Sequence, residues 1–71
     1  MYRVYVSIPI NDQWEDRDRA ILTAAEGQKP HRWTEAGKLH YLWRFDDIQQ
    51  GKVMRLRLET VPGILPEFRE Q

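Results

Sequence analysis

Two histidines, His31 and His40, are the first candidates for chemistry in this sequence, because imidazole binds metal ions and exchanges protons near neutral pH. A metal site would need both of them on one face of the chain beside a carboxylate such as that of Glu35. Two histidines and one glutamate in neighbouring strands form an unspecific combination. We therefore expect no metal site.

The remaining reactive side chains form no catalytic arrangement. Ser7 has no evident base, the chain has no cysteine, and no glycine-rich phosphate loop is present. The acidic pairs Asp16 with Asp18 and Asp46 with Asp47 are explained by helix N-termini, where carboxylates meet the positive end of the helix dipole. We expect no enzyme, no catalytic residue and no cofactor.

Length and charge restrict the class of protein further. The 71 residues, numbered 1–71, are enough for a single domain, near the lower size limit for a chain that folds without disulfides or metals. Eleven basic and eleven acidic residues cancel, which disfavours a strongly basic nucleic-acid binder. The absence of cysteine suits the cytoplasm, and the sequence has neither a signal peptide nor an apolar run that could span a membrane.

Three segments show the alternation of strands. The first runs from Tyr2 to Ile8 and ends at Pro9, which cannot donate a backbone hydrogen bond. Two more strands, His31 to Glu35 and Lys38 to Phe45, are separated only by Ala36-Gly37. Such a short loop predicts an antiparallel hairpin.

A helix is predicted between the first strand and the hairpin, from about Asp12 to Glu26. Asp12 stands three residues before Glu15, which is the spacing of a capping box. Gly27 then provides the residue that most easily ends a helix. The apolar residues of this segment fall on one helical stripe, made of Trp14, Ile21, Leu22 and Ala25.

The segment after Phe45 has two interpretations. Met54, Leu56 and Leu58 alternate with charged residues, which is typical of a strand. Asp46 and Asp47, however, each precede a glutamine by three residues and could cap a helix, and Pro62-Gly63 could end one. Gly51 costs such a helix about 1 kcal/mol relative to alanine. Local sequence leaves both interpretations open.

Topology favours the helix. With a last strand near Ile64 to Arg69, the order becomes βαββαβ, a ferredoxin-like α+β arrangement with a four-stranded antiparallel sheet and both helices on one face. The last strand then lies at an edge, where Pro66 is tolerated. The alternative is a βαββ fold with a strand through Met54 to Leu58.

In the ferredoxin-like arrangement the sheet face opposite the helices is open. The first and third strands place Arg3, Tyr5 and Ser7 beside Lys38, His40, Leu42 and Arg44 on it. The edge strands add Arg69 and either Arg32 with Thr34 or His31 with Trp33. Tyr41 and Trp43 point to the other face and should be core residues. The residues predicted to bind a partner or a nucleic acid are Arg3, Tyr5, Lys38, His40, Arg44 and Arg69.

The segments Val4–Pro9 and Lys38–Phe45 resemble the first-strand and third-strand motifs of the RNA recognition motif family. The resemblance implies an open sheet face on which nucleic-acid bases stack, helped by basic side chains. Leu39 and Leu42 stand where the family has a glycine and an aromatic residue. The positions that match its RNA-facing residues are Tyr5, Lys38, His40 and Leu42.

Aromatic residues beside arginines are also the composition of protein interfaces. We expect a small non-enzymatic binding module that acts through a protein-protein surface. It would serve as an accessory or regulatory protein, or as a phage- or mobile-element-type inhibitor of a host complex. We expect the partner to be a protein, either alone or as part of a nucleoprotein complex. We expect the module itself to be a monomer or a weak homodimer that binds no membrane. The alternative function is single-stranded RNA binding by the open face.

Overall fold

The computed structural model describes residues 1–70 and confirms the ferredoxin-like α+β arrangement. Its elements follow the order βαββαβ, with the second helix in the segment whose sequence left two interpretations. Their bounds are β1 Tyr2–Pro9, α1 Trp14–Ala24, β2 His31–Glu35, β3 Lys38–Phe45, α2 Ile48–Glu59 and β4 Glu67–Glu70. Neither helix is both long and apolar enough to cross a membrane in the part of the chain described.

The four strands form one antiparallel sheet in the order β2-β3-β1-β4. Both helices pack on the same face, where the apolar residues of β1 and β3 are buried. Tyr41 and Trp43 lie in this core, with 0% and 3% of their surface exposed, as the alternation predicted. The other core residues are Val4, Val6, Ile8, Ile21, Ala25, Leu39, Phe45, Met54, Leu58, Val61 and Ile64.

Burial along α2 explains why this segment is a helix and not a strand. Met54 and Leu58 are fully buried, whereas Leu56, which the strand interpretation would place beside them, is 61% exposed. The Asp47 side chain accepts a hydrogen bond from the Gln49 N–H at 2.8 Å and caps the first turn, one of the two caps predicted. A strand would bury Met54, Leu56 and Leu58 together, whereas a helix buries Met54 and Leu58 and turns Leu56 away, so this burial pattern agrees with the helix and not with the βαββ alternative.

Helix α2 and the edge strand β4 approach each other closely at Gly51. A Cβ atom built on Gly51 would lie 2.7 Å from Cε2 of Phe68. The missing side chain therefore lets the Phe68 ring approach the helix backbone, where it also stacks on Tyr2 with ring centroids 5.9 Å apart. This contact explains a glycine inside a helix that otherwise disfavours it.

The first helix is shorter than predicted. It begins at Trp14, and its N-cap residue Gln13 makes no side-chain capping hydrogen bond, so the predicted capping box at Asp12 is wrong. Instead the Asn11 side chain accepts a hydrogen bond from the Gln13 N–H at 2.9 Å and closes the turn before the helix. At the other end the left-handed backbone begins one residue before Gly27, since Glu26 has φ 53°.

The last strand begins later than predicted, at Glu67 rather than Ile64. Ile64 instead lies in the core, 5% exposed, and Leu65 is 88% exposed. Pro66 has no N–H to donate, so pairing with β1 can start only after it. As expected, β4 is an edge strand.

Candidate binding face on the open sheet

The sheet face away from the helices, called the open face here, collects all six residues predicted to bind a partner. Cross-strand partners in a sheet point to the same side, so the register defines the face. On β2, His31 pairs with Leu42 and Trp33 with His40, which selects His31 and Trp33 over Arg32 and Thr34. The open face consists of Arg3, Tyr5, Ser7, Pro9, His31, Trp33, Glu35, Lys38, His40, Leu42, Arg44, Glu67 and Arg69.

Four rings form a continuous aromatic cluster at the centre of this face. The Trp33 ring stacks on His40, with centroids 5.1 Å apart and an interplanar angle of 13°. His31 stacks on the other end of Trp33 at 5.2 Å, and Tyr5 stacks on His40 at 5.8 Å. The aromatic cluster therefore extends over β1, β3 and β2 as one surface.

His40 is the most buried member of the aromatic cluster, with 8% of its surface exposed. Its Nε2 lies 3.1 Å from the carbonyl oxygen of Glu35, and its Nδ1 lies 2.6 Å from the hydroxyl of Tyr5. Because a carbonyl oxygen only accepts, Nε2 carries the proton and Nδ1 accepts from Tyr5. Both nitrogens are thus engaged, and the imidazole holds the neighbouring rings in place rather than offering a free base or metal ligand.

Three arginines lie side by side at one end of the open face. Arg3 on β1 pairs with Arg44 on β3 and with Arg69 on β4, and we call these three residues the arginine row. Arg69 hydrogen-bonds Glu67 at 2.5 Å and its guanidinium carbon lies 5.7 Å from the centre of the Tyr5 ring. Arg69 thus links the arginine row to the aromatic cluster.

Lys38 lies at the opposite end of the open face and pairs across the hairpin with Glu35. This end of the open face therefore carries one negative and one positive side chain, whereas the arginine row carries three positive ones. Residues 1–70 contain no group of three or more histidines, cysteines or carboxylates close enough to hold a metal ion.

The helix side of the sheet holds an ionic cluster that the sequence did not reveal. The Asp18 carboxylate of α1 accepts from the Tyr41 hydroxyl at 2.6 Å and from Arg32 at 2.8 and 3.0 Å. Burial, the hydrogen bond to Asp18 and the Asp18 charge raise the pKa of Tyr41 above its usual range, and the nearby Arg32 opposes that shift. These bonds join α1 to β2 and β3.

A groove of about 520 Å³ lies beside the ionic cluster. It is lined by Ile10, Trp14, Asp18, Arg32, Trp33, Thr34 and Leu39. Trp33 therefore borders both the open face and this groove.

His31 and Trp33 were predicted only as one of two options, although the hairpin carried the deciding signal. Ala36 and Gly37 have φ of 55° and 73°, a two-residue turn of the kind that matches strand twist. Such a turn makes its flanking residues, Glu35 and Lys38, direct partners. Counting back by two then places Trp33 on the side of His40.

Comparisons with protein family models, curated proteins and solved structures found no match to this chain.

Proposed function

We propose that this protein is a non-enzymatic binding module whose open face binds an acidic surface of a protein partner. The observation that carries the proposal is the continuity of the aromatic cluster with the arginine row on one sheet face. Tryptophan, tyrosine and arginine are the residues that contribute most to binding energy at protein interfaces.

The aromatic cluster supplies the apolar part of such an interface. Tyr5 and Trp33 are half-buried, so part of each ring is open to solvent. Their planes are held by stacking and by the Tyr5–His40 hydrogen bond, so little side-chain entropy remains to be lost on binding. A rigid aromatic surface of this kind favours a partner with a complementary shape.

Charge supports a protein over a nucleic acid as the main partner. The chain has no net charge, and the open face carries Glu35 and Glu67 beside its basic residues. Phosphate groups would be repelled by both carboxylates, whereas a protein surface can present opposite charges to each. The arginine row then faces the acidic part of the partner.

Single-stranded RNA binding is the second candidate, and one observation favours it. Tyr5 of β1 pairs with Leu42 of β3, and His40 is the next residue of β3 on the same face. This is the placement that the resemblance to the RNA recognition motif family implies. Against it, His40 is almost fully covered by its neighbours and offers little ring surface for a base.

Acting by surface recognition, the module would serve in the cytoplasm as an accessory subunit, a regulator or an inhibitor of a larger complex, including one of phage or mobile-element origin. The small size of the chain supports this role, since the open face is a large part of one side of the domain.

The test is a pull-down from the native host, with and without nuclease, that compares the unaltered protein with Tyr5→Ala and Trp33→Ala. Leu56→Ala is the matched control, because Leu56 is an exposed apolar residue on α2, away from the open face. We expect one protein to be retained regardless of nuclease, to be lost in both aromatic variants, and to be kept in the control. Retention of RNA alone, or of many proteins lost together on nuclease treatment, would support the second candidate instead.

A further inference from the structure

The arginine row brings three like charges together on neighbouring strands. Arg3 is the direct cross-strand partner of both Arg44 and Arg69, and adjacent strands are only about 4.8 Å apart. Like charges directly opposite each other in a sheet are destabilising. The fold therefore holds an arrangement that the isolated domain does not favour.

The acidic residues of the protein only partly offset this repulsion. Glu67 pairs with Arg69, but neither Arg3 nor Arg44 forms an ion pair within residues 1–70. The Nε–H of Arg3 is also withdrawn from solvent and has no acceptor in this part of the chain. Buried donors of native proteins are nearly always paired, so this one calls for an explanation.

We infer that the arginine row is a subsite for an oxyanion, a carboxylate or phosphate group, presented by the partner. Guanidinium groups bind both kinds of oxyanion through parallel N–H···O hydrogen bonds. An anion over Arg3 and Arg44 would neutralise the like charges and accept hydrogen bonds from the two guanidinium groups. This inference rests on the proposed function of the open face and names the chemical group that the arginine row recognises.

The test titrates the isolated protein with inorganic phosphate and, separately, with glutarate, at constant ionic strength maintained with sodium chloride. The readout is the set of arginine Nε–H resonances in ¹H–¹⁵N NMR spectra. We expect saturable shifts of the Arg3 and Arg44 signals, and a dissociation constant that rises about fivefold or more in Arg44→Gln. Arg19→Gln, an exposed arginine of α1, is the matched control and should bind as the unaltered protein does.

The melting temperature of Arg44→Gln without added phosphate or glutarate provides a second measurement. Arg44 is exposed, so its replacement removes charge without disturbing the core. Arg44→Gln should melt a few degrees higher than the unaltered protein in chloride alone, because repulsion within the arginine row is relieved. In saturating phosphate or glutarate this difference should shrink.

Unsaturable shifts shared by all arginine signals, or equal anion affinity in Arg44→Gln, would overturn the inference. Tighter binding of glutarate points to acidic side chains as the source of the anion, and tighter binding of phosphate points to a phosphate group. The same experiments distinguish failure of the oxyanion subsite from failure of the proposed protein-binding function. A host partner that depends on Tyr5 and Trp33 but not on Arg44 leaves the protein-binding face intact and removes only the oxyanion subsite.

Discussion

The hydroxyl of Tyr5 lies 2.6 Å from Nδ1 of His40, so that a side-chain hydrogen bond joins the two middle strands on the open face. The other nitrogen of the same imidazole bonds the backbone of Glu35 at the end of β2. One histidine therefore connects three strands of the sheet and orients the rings of the aromatic cluster.

This hydrogen bond separates two roles of Tyr5. Tyr5→Phe keeps the ring but leaves Nδ1 of His40 without a donor, so we expect a loss of about 1 kcal/mol in the free energy of unfolding and little loss of partner affinity. Tyr5→Ala should weaken partner binding by about 1 to 3 kcal/mol. Urea denaturation and calorimetry with the captured partner measure the two quantities. Equal loss of affinity in both variants would show that the hydroxyl, not the ring, contacts the partner.

Trp43 should be the side chain on which folding depends most. It is 3% exposed, stacks on Tyr41, and its indole N–H donates to the Gln28 carbonyl at 2.9 Å. Trp43→Ala should cost about 3 to 5 kcal/mol, comparable with the whole stability of so small a domain. Circular dichroism during thermal unfolding measures the loss. The exposed control Leu56→Ala should stay within about 0.5 kcal/mol of the unaltered protein, and a Trp43→Ala melting curve as close as that would contradict its place in the core.

The raised pKa of Tyr41 predicts that the folded protein loses stability at high pH. Its pKa is raised in the folded state, so its phenol ionises more readily after unfolding, where the pKa is about 10. The contribution is fully present below about pH 10 and is lost as the pH rises above that value. Urea midpoints between pH 9 and 11.5 should therefore fall more steeply for the unaltered protein than for Tyr41→Phe. Parallel pH profiles for the two proteins would contradict the raised pKa of Tyr41.

The contact between Gly51 and Phe68 predicts that the effect of Gly51→Ala on the free energy of unfolding changes sign when the Phe68 ring is removed. Alanine normally stabilises a helix by about 1 kcal/mol relative to glycine. Here its Cβ would lie 2.7 Å from the Phe68 ring, so Gly51→Ala should destabilise the protein by about 1 to 3 kcal/mol. In a Phe68→Ala background the ring is absent, and the same change should become neutral or stabilising. Denaturant unfolding of the four proteins checks the cycle, and destabilisation of similar size in both backgrounds would contradict the contact.

The sequence by itself determined the elements that depend on local order. Alternation defined β1 and the two strands of the hairpin, because successive side chains of a strand point to opposite faces. The same alternation placed Tyr41 and Trp43 in the core and five of the six predicted binding residues on the open face, whereas the position of Arg69 depended on the register of β4. The turn at Ala36-Gly37 even contained the register of β2, although that step requires the turn geometry as well as the pattern.

The tertiary structure decided what depends on contacts between distant segments. The segment from Ile48 to Glu59 carries both a strand pattern and a helix pattern, and only packing of Met54 and Leu58 against the sheet selects the helix. The arginine row and the buried state of His40 likewise arise from pairing among strands far apart in the chain. Local periodicity sets which face a side chain points to, but the neighbours it meets there are set by strand order and register. For this physical reason the sequence predicted which residues lie on the open face, but it did not predict the arginine row or the burial of His40.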